Sequence, residues 1–320
     1  MTSGMNKNYF EVLRAGINTT YQDLGRNNLY HIGIPFSGAM DKRNYLIVNS
    51  LVGNQKNTST IEFAYQGPLL KFNGEEVCIS ITGNVNFKII RKNFEQEKGN
   101  CYQTYNLHDG DKIDILSTNK SVFGYLAANG GFDTELFWDS CSTNTKAQIG
   151  ANNGEKLKIS DKILIFNSKK KKLNHKINYT NSTIEYIRVI KGTNYDYFSE
   201  NGKNIFFKSE FVVSKLTDRM GMRLEGPKIE NIVNTNIRSE GLIKGVIQIP
   251  ADGNPIIMLS DHGTIGGYPK IGVVISADYD KLVQLPPGSK IKFKEIDLAD
   301  AELLFKLYEM ETKNLVSKIK

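Results

Sequence analysis

Four residue types are scarce in this chain of 320: one tryptophan, three cysteines, four histidines and eight prolines. Each scarcity excludes something. Cys78, Cys101 and Cys141 are an odd number and no two lie within four residues, so there is neither a CxxC zinc or redox motif nor a disulfide framework. His31, His108, His175 and His262 are scattered, so a metal would need a cluster made by the fold, and no metal ligands are predicted. Long apolar runs are missing too. No stretch approaches the ~18 residues that read as a membrane span, and Met1–Arg14 carries no apolar signal core, so a cytoplasmic protein without membrane contact is expected. Several chemical signatures are absent. There is no GxxxxGK[ST] phosphate loop, Gly150–Lys156 being one residue short and lacking the Ser/Thr. There is no GxSxG nucleophile elbow and no HExxH zinc helix.

Arginine is also scarce. Lys and Arg together number 41 against 34 Asp and Glu, a net charge of +7, yet only Arg14, Arg26, Arg43, Arg91, Arg188, Arg219, Arg223 and Arg238 are Arg. A surplus of Lys, Asn and Ile is the usage that A/T-rich codons produce, so the positive balance does not argue for a nucleic-acid partner. The run Lys169–Lys172, among Asn and Ser, reads as a solvated linker.

Hydrophobic residues at 40% and charged residues at 23% are ordinary globular proportions, and the length suggests two domains. Most apolar segments are short, alternating and β-branched: Val77–Ile81, Phe87–Ile90, Lys112–Leu116, Val122–Leu126, Lys162–Phe166, Tyr186–Ile190, Gly245–Ile249, Ile256–Leu259, Gly272–Ile275 and Lys290–Phe293. Gly, Asn, Asp and Pro separate them, which is an all-β pattern of sandwich or barrel type. Helices are predicted at Asp41–Leu51, with Asp41 as N-cap, at Thr193–Asn201, and at Asp297–Ser317, whose apolar residues repeat at 3–4 spacing. The polar stretch Asn167–Thr183 divides the chain, giving domains at 1–170 and 184–320 with a linker at 171–183. A turn-strand echo between Leu107–Ile115 and Leu285–Phe293 weakly favours duplication.

Three segments look chemical. In the first, Gln22–Arg26 is followed by Gly33–Asp41. Ser37 and Gly38 before a helix could offer free N–H groups to an anion, or Asp41 could simply cap the helix after a turn. The second, Thr217–Gly226, holds two of the eight Arg, Arg219 and Arg223. Their planar forks suit a carboxylate or phosphate, although an internal bridge to Asp218 or Glu225 is the slightly favoured reading. The third is densest: Arg238–Gly241, then Gln248–Pro255 with Asp252, then Ser260–Lys270. There Asp261 and His262 end a strand, Gly266 and Gly267 let backbone approach a ligand, and Tyr268 can wall a pocket, so a ligand role is favoured.

In this order the blocks resemble the KipA-like, allophanate hydrolase subunit 2 family, which includes the C subunit of 5-oxoprolinase and part of the carboxyltransferase region of urea carboxylase. The resemblance runs from about Val12 to Phe293. It rests on Thr19–Arg26, Gly33–Asp41, Glu62, Thr82-Gly83, Tyr125–Gly131, Arg219–Leu224, Ser239–Gly241, Gln248–Pro250 and Gly266–Ile271. Two departures stand out. The family's Gly-Ser-x-Ser-Thr is here Asp139-Ser-Cys-Ser-Thr143, and its Tyr-x-Arg-x-Gly is Asn144-Thr-Lys-Ala-Gln148, where Lys146 keeps the charge of the Arg but not its fork.

What the resemblance implies is a mainly β chain of two cyclophilin-like barrels with a few short helices and a C-terminal helix. It implies a subunit of an ATP-dependent 5-oxoprolinase that works with subunit-B-like (KipI-like) and subunit-A-like partners to open 5-oxoproline to glutamate. ATP, with Mg as its accompanying ion, enters from the resemblance only. The expected site combines Asp252, Asp261 and His262 as catalytic groups with Ser37, Met40, Asp41, Arg219, Arg223, Gln248, Gly266, Gly267 and Tyr268 around the substrate. The alternatives are carboxyl transfer beside separate biotin proteins and a non-catalytic antagonist of a kinase inhibitor.

Overall fold

In a computed structural model of the chain, residues 8–166, 173–180, 185–233 and 236–319 are described. The chain divides into two compact units. The first comprises Met1–Arg26, Lys42–Asn181 and Thr312–Lys320, and the second Asn27–Asp41 and Ser182–Glu311. Chain order therefore does not map onto the units one-to-one. Residues 27–41 leave the first unit to join the second, and the chain's last residues return to the first.

The first unit holds two antiparallel sheets. In one the order is Lys162–Leu164, Tyr9–Arg14, Leu69–Asn73, Lys112–Thr118, Val85–Ile90 and Gln96–Lys98. In the other it is Thr20–Gln22, Thr60–Ala64, Phe123–Ala128, Glu76–Thr82 and Thr104–His108. Alternation along the strands explains the shared core. Phe10, Val12, Leu70, Phe72, Ile113 and Ile115 from one sheet pack with Ile61, Phe63, Ile79, Ile81 and Leu126 from the other. The opposite face of the second sheet is polar yet buried. It carries Thr20, Gln22, Thr60, Glu62, Thr82 and Tyr125, with Tyr125 donating to Glu62 at 2.7 Å. Helix α1, Lys42–Leu51, lies against this sheet; the Thr82 hydroxyl donates to the Asn44 carbonyl, and Tyr102 donates to the Asn44 side chain. The described part of the expected linker, 173–180, runs along this unit. Its Lys176 bridges Gln103, and its Ile177 N–H donates to the Tyr102 carbonyl. Lys169–Lys172 lies outside the described residues.

The second unit is built on one eight-stranded sheet in the order Lys290–Ile291, Phe211–Val213, Gly221–Glu225, Ile256–Met258, Val246–Gln248, Lys270–Val274, Ile187–Lys191 and Phe293–Glu295. The first and last members are separated in sequence only by Lys292, so the sheet curls almost to closure as a barrel. Phe206, Phe211 and Phe293 are buried and pack together. A short ribbon pairs Glu240–Gly241 with Ile265–Gly266.

Secondary structure follows the sequence pattern closely. Among the described residues the mainly β architecture has four α-helices. Besides α1 they are α2 at Glu200–Lys208, α3 at Ser276–Val283 and α4 at Leu298–Ser317. The helix expected at Thr193–Asn201 is displaced: a 3-10 turn at Tyr195–Tyr197 precedes α2, whose true N-cap is Ser199, its hydroxyl accepting from the Gly202 N–H. Helix α3 was not foreseen. It is short, and its buried Asp278 hides the apolar stripe until Arg188 is seen to neutralise it. No helix among the described residues is long and apolar enough to cross a membrane.

Candidate functional site

Within the second unit, the strand Ile256–Met258 ends in the run Leu259–His262, which lies beside the strand entrance at Arg219-Met220. Asp261 N–H donates to the Arg219 carbonyl at 2.9 Å, and Leu259 N–H to that of Met220 at 2.9 Å. This backbone pairing sets Arg219 against Asp261. The guanidinium grips the carboxylate on two sides, Nε to Oδ2 at 2.8 Å and Nη2 to Oδ1 at 3.2 Å. The side chains are only 9% and 3% exposed, so the pair is screened little by water. Nη2 also donates to the Gly38 carbonyl at 2.7 Å. The bridge foreseen for Arg219 thus exists with a different partner. Asp218 instead accepts from the Met220 and Gly221 N–H groups, and Glu225 accepts from the Ser214 hydroxyl.

Residues 27–41 complete the group. Ser37 and Gly38 are successive left-handed residues, φ +56° and +84°. The Gly adopts this freely, whereas the Ser carries backbone strain of about 1 kcal/mol. The bonds around the turn hold it: Ser37 N–H donates to the Ser260 carbonyl at 3.1 Å, and Gly38 offers its carbonyl to Arg219. Asp41 is buried and accepts from Gln284 Nε2 at 2.8 Å, and Met40 is fully buried.

His262 is 1% exposed. Its Nδ1 lies 2.6 Å from the Gly263 carbonyl, which can only accept, so the proton sits on Nδ1. Nε2 is then a lone pair, and it accepts from the Tyr30 hydroxyl at 2.8 Å. Burial holds His262 below its usual pKa, so the imidazole is neutral at pH 7. Burial also raises the Tyr30 phenol to about 12. Tyr30 is half-buried and packs against Phe36, ring centroids 4.7 Å apart and tilted by 34°. The result is a neutral donor-acceptor pair whose outer member reaches the surface, a geometry suited to moving one proton between a surface ligand and a buried imidazole. Tyr30 had no signal in the sequence. It lies in a stretch without periodicity, 232 residues from its partner.

A second polar group gathers other expected residues. Gln248 Nε2 donates to the Tyr268 carbonyl at 3.2 Å. A Cβ on Gly266 would stand 2.7 Å from Gln248 Nε2 and 2.8 Å from Leu242 Cδ1, so a side chain there would displace the Gln248 amide. One on Gly267 would stand 3.1 Å from the Ile237 carbonyl. The buried Lys270 ammonium reaches Glu240 at 2.7 Å and, by donating to it, holds that carboxylate below its ordinary pKa.

Two expected residues stand apart from both groups. Asp252 is exposed in the turn that enters the strand Ile256–Met258, at the opposite end from Asp261, and its carboxylate is occupied by the Asn254 backbone and side chain. Arg223 points outward from its strand, between the inward Met222 and Leu224.

In the first unit the Gln22–Arg26 block builds an anchor. Asp23 is 2% exposed and accepts four hydrogen bonds: from the Ser140 and Ser142 hydroxyls at 2.6 Å each, and from the N–H groups of Cys141 at 2.7 Å and Gly25 at 2.8 Å. Arg26 donates to the Ser142 carbonyl. Both departures from the family pattern fall where backbone geometry favours glycine: Asp139 has φ +61° and Gln148 φ +54°. Lys146, in place of the family's Arg, is exposed.

Among the described residues no group of three His, Cys, Asp or Glu side chains could hold a metal ion. Asp261, the carboxylate nearest the His262–Tyr30 pair in sequence, is engaged by Arg219.

Comparison with known proteins gives a consistent picture. Residues 32–295 match the family model for the carboxyltransferase domain, subdomain A and B. The C subunit of the Haemophilus influenzae 5-oxoprolinase is 31% identical, over 92% of this chain and 93% of its own length. That of Escherichia coli is 30% identical, over 91% and 92%. The crystal structure of the K. lactis urea amidolyase superposes with a TM-score of 0.87 at 27% identity. It covers 98% of this chain, which spans only 20% of that one.

Proposed function

Since the chain belongs to the carboxyltransferase domain, subdomain A and B, family, we propose that it is one subunit of an ATP-dependent 5-oxoprolinase and acts with subunit-A-like and subunit-B-like partners. The observation that carries this reading is end-to-end alignment. The two 5-oxoprolinase C subunits match over more than nine-tenths of both chains, whereas the chain spans 18% of the urea amidolyase of Saccharomyces cerevisiae.

In this reading ATP is a co-substrate bound by the assembly, and it supplies the phosphoryl group that activates the lactam oxygen of 5-oxoproline. Attack of that oxygen on the γ-phosphorus expels ADP, and the lactam nitrogen loses its proton. Tyr30 takes that proton while passing its own to His262 Nε2, which is neutral and free to receive it. One water then adds to the activated carbon and the ring C–N bond breaks, leaving the γ-carboxyl phosphorylated and the nitrogen as the free amine; a second water releases phosphate and glutamate. Arg219 and Asp261 position the pair by holding the 259–262 run and the 37–38 turn in place. The Gly266-Gly267 backbone and Gln248 form the second contact surface for the substrate.

Co-expression with both partners, followed by an assay of 5-oxoproline-dependent ATP hydrolysis and glutamate release, tests the reading. Turnover that needs all three chains is expected. An assembled complex whose ATP hydrolysis ignores 5-oxoproline would overturn it. The fold match to urea carboxylase, TM-score 0.87 with the Kluyveromyces lactis structure, favours carboxyl transfer as the second reading, and transfer of a carboxyl group from a carboxylated biotin carrier in the same preparation would establish it.

A further inference from the structure

The only tryptophan of the chain is spent on the surface. Trp138 is 52% exposed and neighbouring Leu136 63%. They sit on a two-residue hairpin closed by reciprocal backbone bonds between Phe137 and Ser140. Both turn residues are left-handed, Trp138 at φ +50° and Asp139 at +61°. Such turns favour Asn-Gly or Gly-Gly, and a bulky aromatic there is strained. The base of the hairpin does not yield, because Ser140, Cys141 and Ser142 are clamped on the buried carboxylate of Asp23. Leu24, next to Asp23, is itself 39% exposed. Trp138 makes no ring contact among the described residues, and the flanking Glu135 and Asp139 are exposed and form no ion pair there. A chain of net charge +7 thus raises an apolar knob with an acidic rim on a rigid base.

We propose that the 135–139 hairpin is a docking knob, with Trp138 inserting into an apolar pocket rimmed by Lys or Arg on the subunit-B-like partner. The proposal rests on the subunit reading above. Strain at a half-exposed aromatic that makes no ring contact among the described residues has no benefit to the free chain, while Trp is the residue type most often dominant at protein interfaces. The acidic rim selects a basic partner surface and sets its approach.

The test is binding of the purified subunit-B-like protein to the full chain, read by the emission of Trp138 and by the dissociation constant. Complex formation should shift the emission to the blue. Trp138→Gly is the decisive variant, because glycine takes the left-handed turn without strain and so should leave thermal stability equal or higher. It should nonetheless weaken binding about 30-fold or more. Glu135→Lys with Asp139→Lys should slow association and reverse its salt dependence. A complex that forms with unchanged emission and equal affinity for Trp138→Gly overturns the knob and leaves the subunit reading standing. Absence both of a complex and of 5-oxoproline-dependent turnover with the co-expressed partners overturns the subunit reading, and the knob with it.

Discussion

Each unit contains a buried aspartate that ties distant segments together, and the two are satisfied by opposite means. Asp23 in the first unit is held by neutral donors, two hydroxyls and two backbone N–H groups. Asp261 in the second is held by a guanidinium that also reaches the Gly38 carbonyl. Neutral donors spread a charge over short, rigid bonds and leave nothing behind that is itself charged. An ion pair concentrates the interaction in two groups, and removing either strands the other in a medium that solvates it poorly. The first arrangement suits a static anchor. The second ties the geometry of the His262–Tyr30 pair to one side chain.

The largest expected effect follows from that contrast. Arg219→Ala leaves Asp261 buried and unpaired and should destabilise the protein by about 3–5 kcal/mol, measured by denaturant unfolding. Arg219→Lys should recover only part of this, because a point charge cannot serve both carboxylate oxygens and the Gly38 carbonyl. Asp23→Ala should cost less, about 3 kcal/mol or under, since the donors it abandons are neutral. If the Asp23 variant proves the more damaging, the contrast between anchor and ion pair fails.

Next in size is a pH effect confined to the second unit. The folded pKa of His262 lies below the unfolded value of 6.5, chiefly through burial. Below pH 6.5 the unfolded chain therefore binds a proton that the folded chain refuses. The associated stability is fully present above 6.5 and is lost as pH falls through the lower folded value. His262→Gln should flatten the stability profile between pH 7 and 5, while an Asp23 variant should keep that slope.

Tyr30→Phe should cost about 1 kcal/mol and should depress turnover of the assembled enzyme far more than it depresses stability. Smallest of all, Asp252→Ala should change stability by about 0.5 kcal/mol or less and leave turnover unchanged, because that carboxylate only closes a local turn with Asn254.

Much of the fold is legible in the residue pattern. The strands alternate because one face meets a core and the other does not. The long α4 shows its 3–4 spacing even though it carries exposed Leu303, Leu307 and Met310. Helix α3 was illegible because a buried aspartate broke the apolar pattern, and its partner Arg188 lies 90 residues away. In the site, Asp261, His262, Arg219 and Ser37 were singled out by residue type and glycine density. Tyr30 was not, because a hydroxyl that matters only through a histidine 232 residues distant leaves no local trace.

Local pattern, then, was settled by the sequence alone: strands from β-branched alternation, the long terminal helix from its 3–4 spacing, and family membership from ordered motif blocks. Only the tertiary structure decided which charge meets which. Arg219 has Asp218 one residue away and Glu225 six, yet it pairs with Asp261, 42 residues on, and with Gly38, 181 residues back. Residues 27–41 likewise join the second unit rather than the one that flanks them in sequence. The physical reason is the same in both cases. A buried charge or backbone turn is stable only where desolvation is offset by fixed partners, and those partners are chosen by how strands register in space, which no short window of sequence encodes.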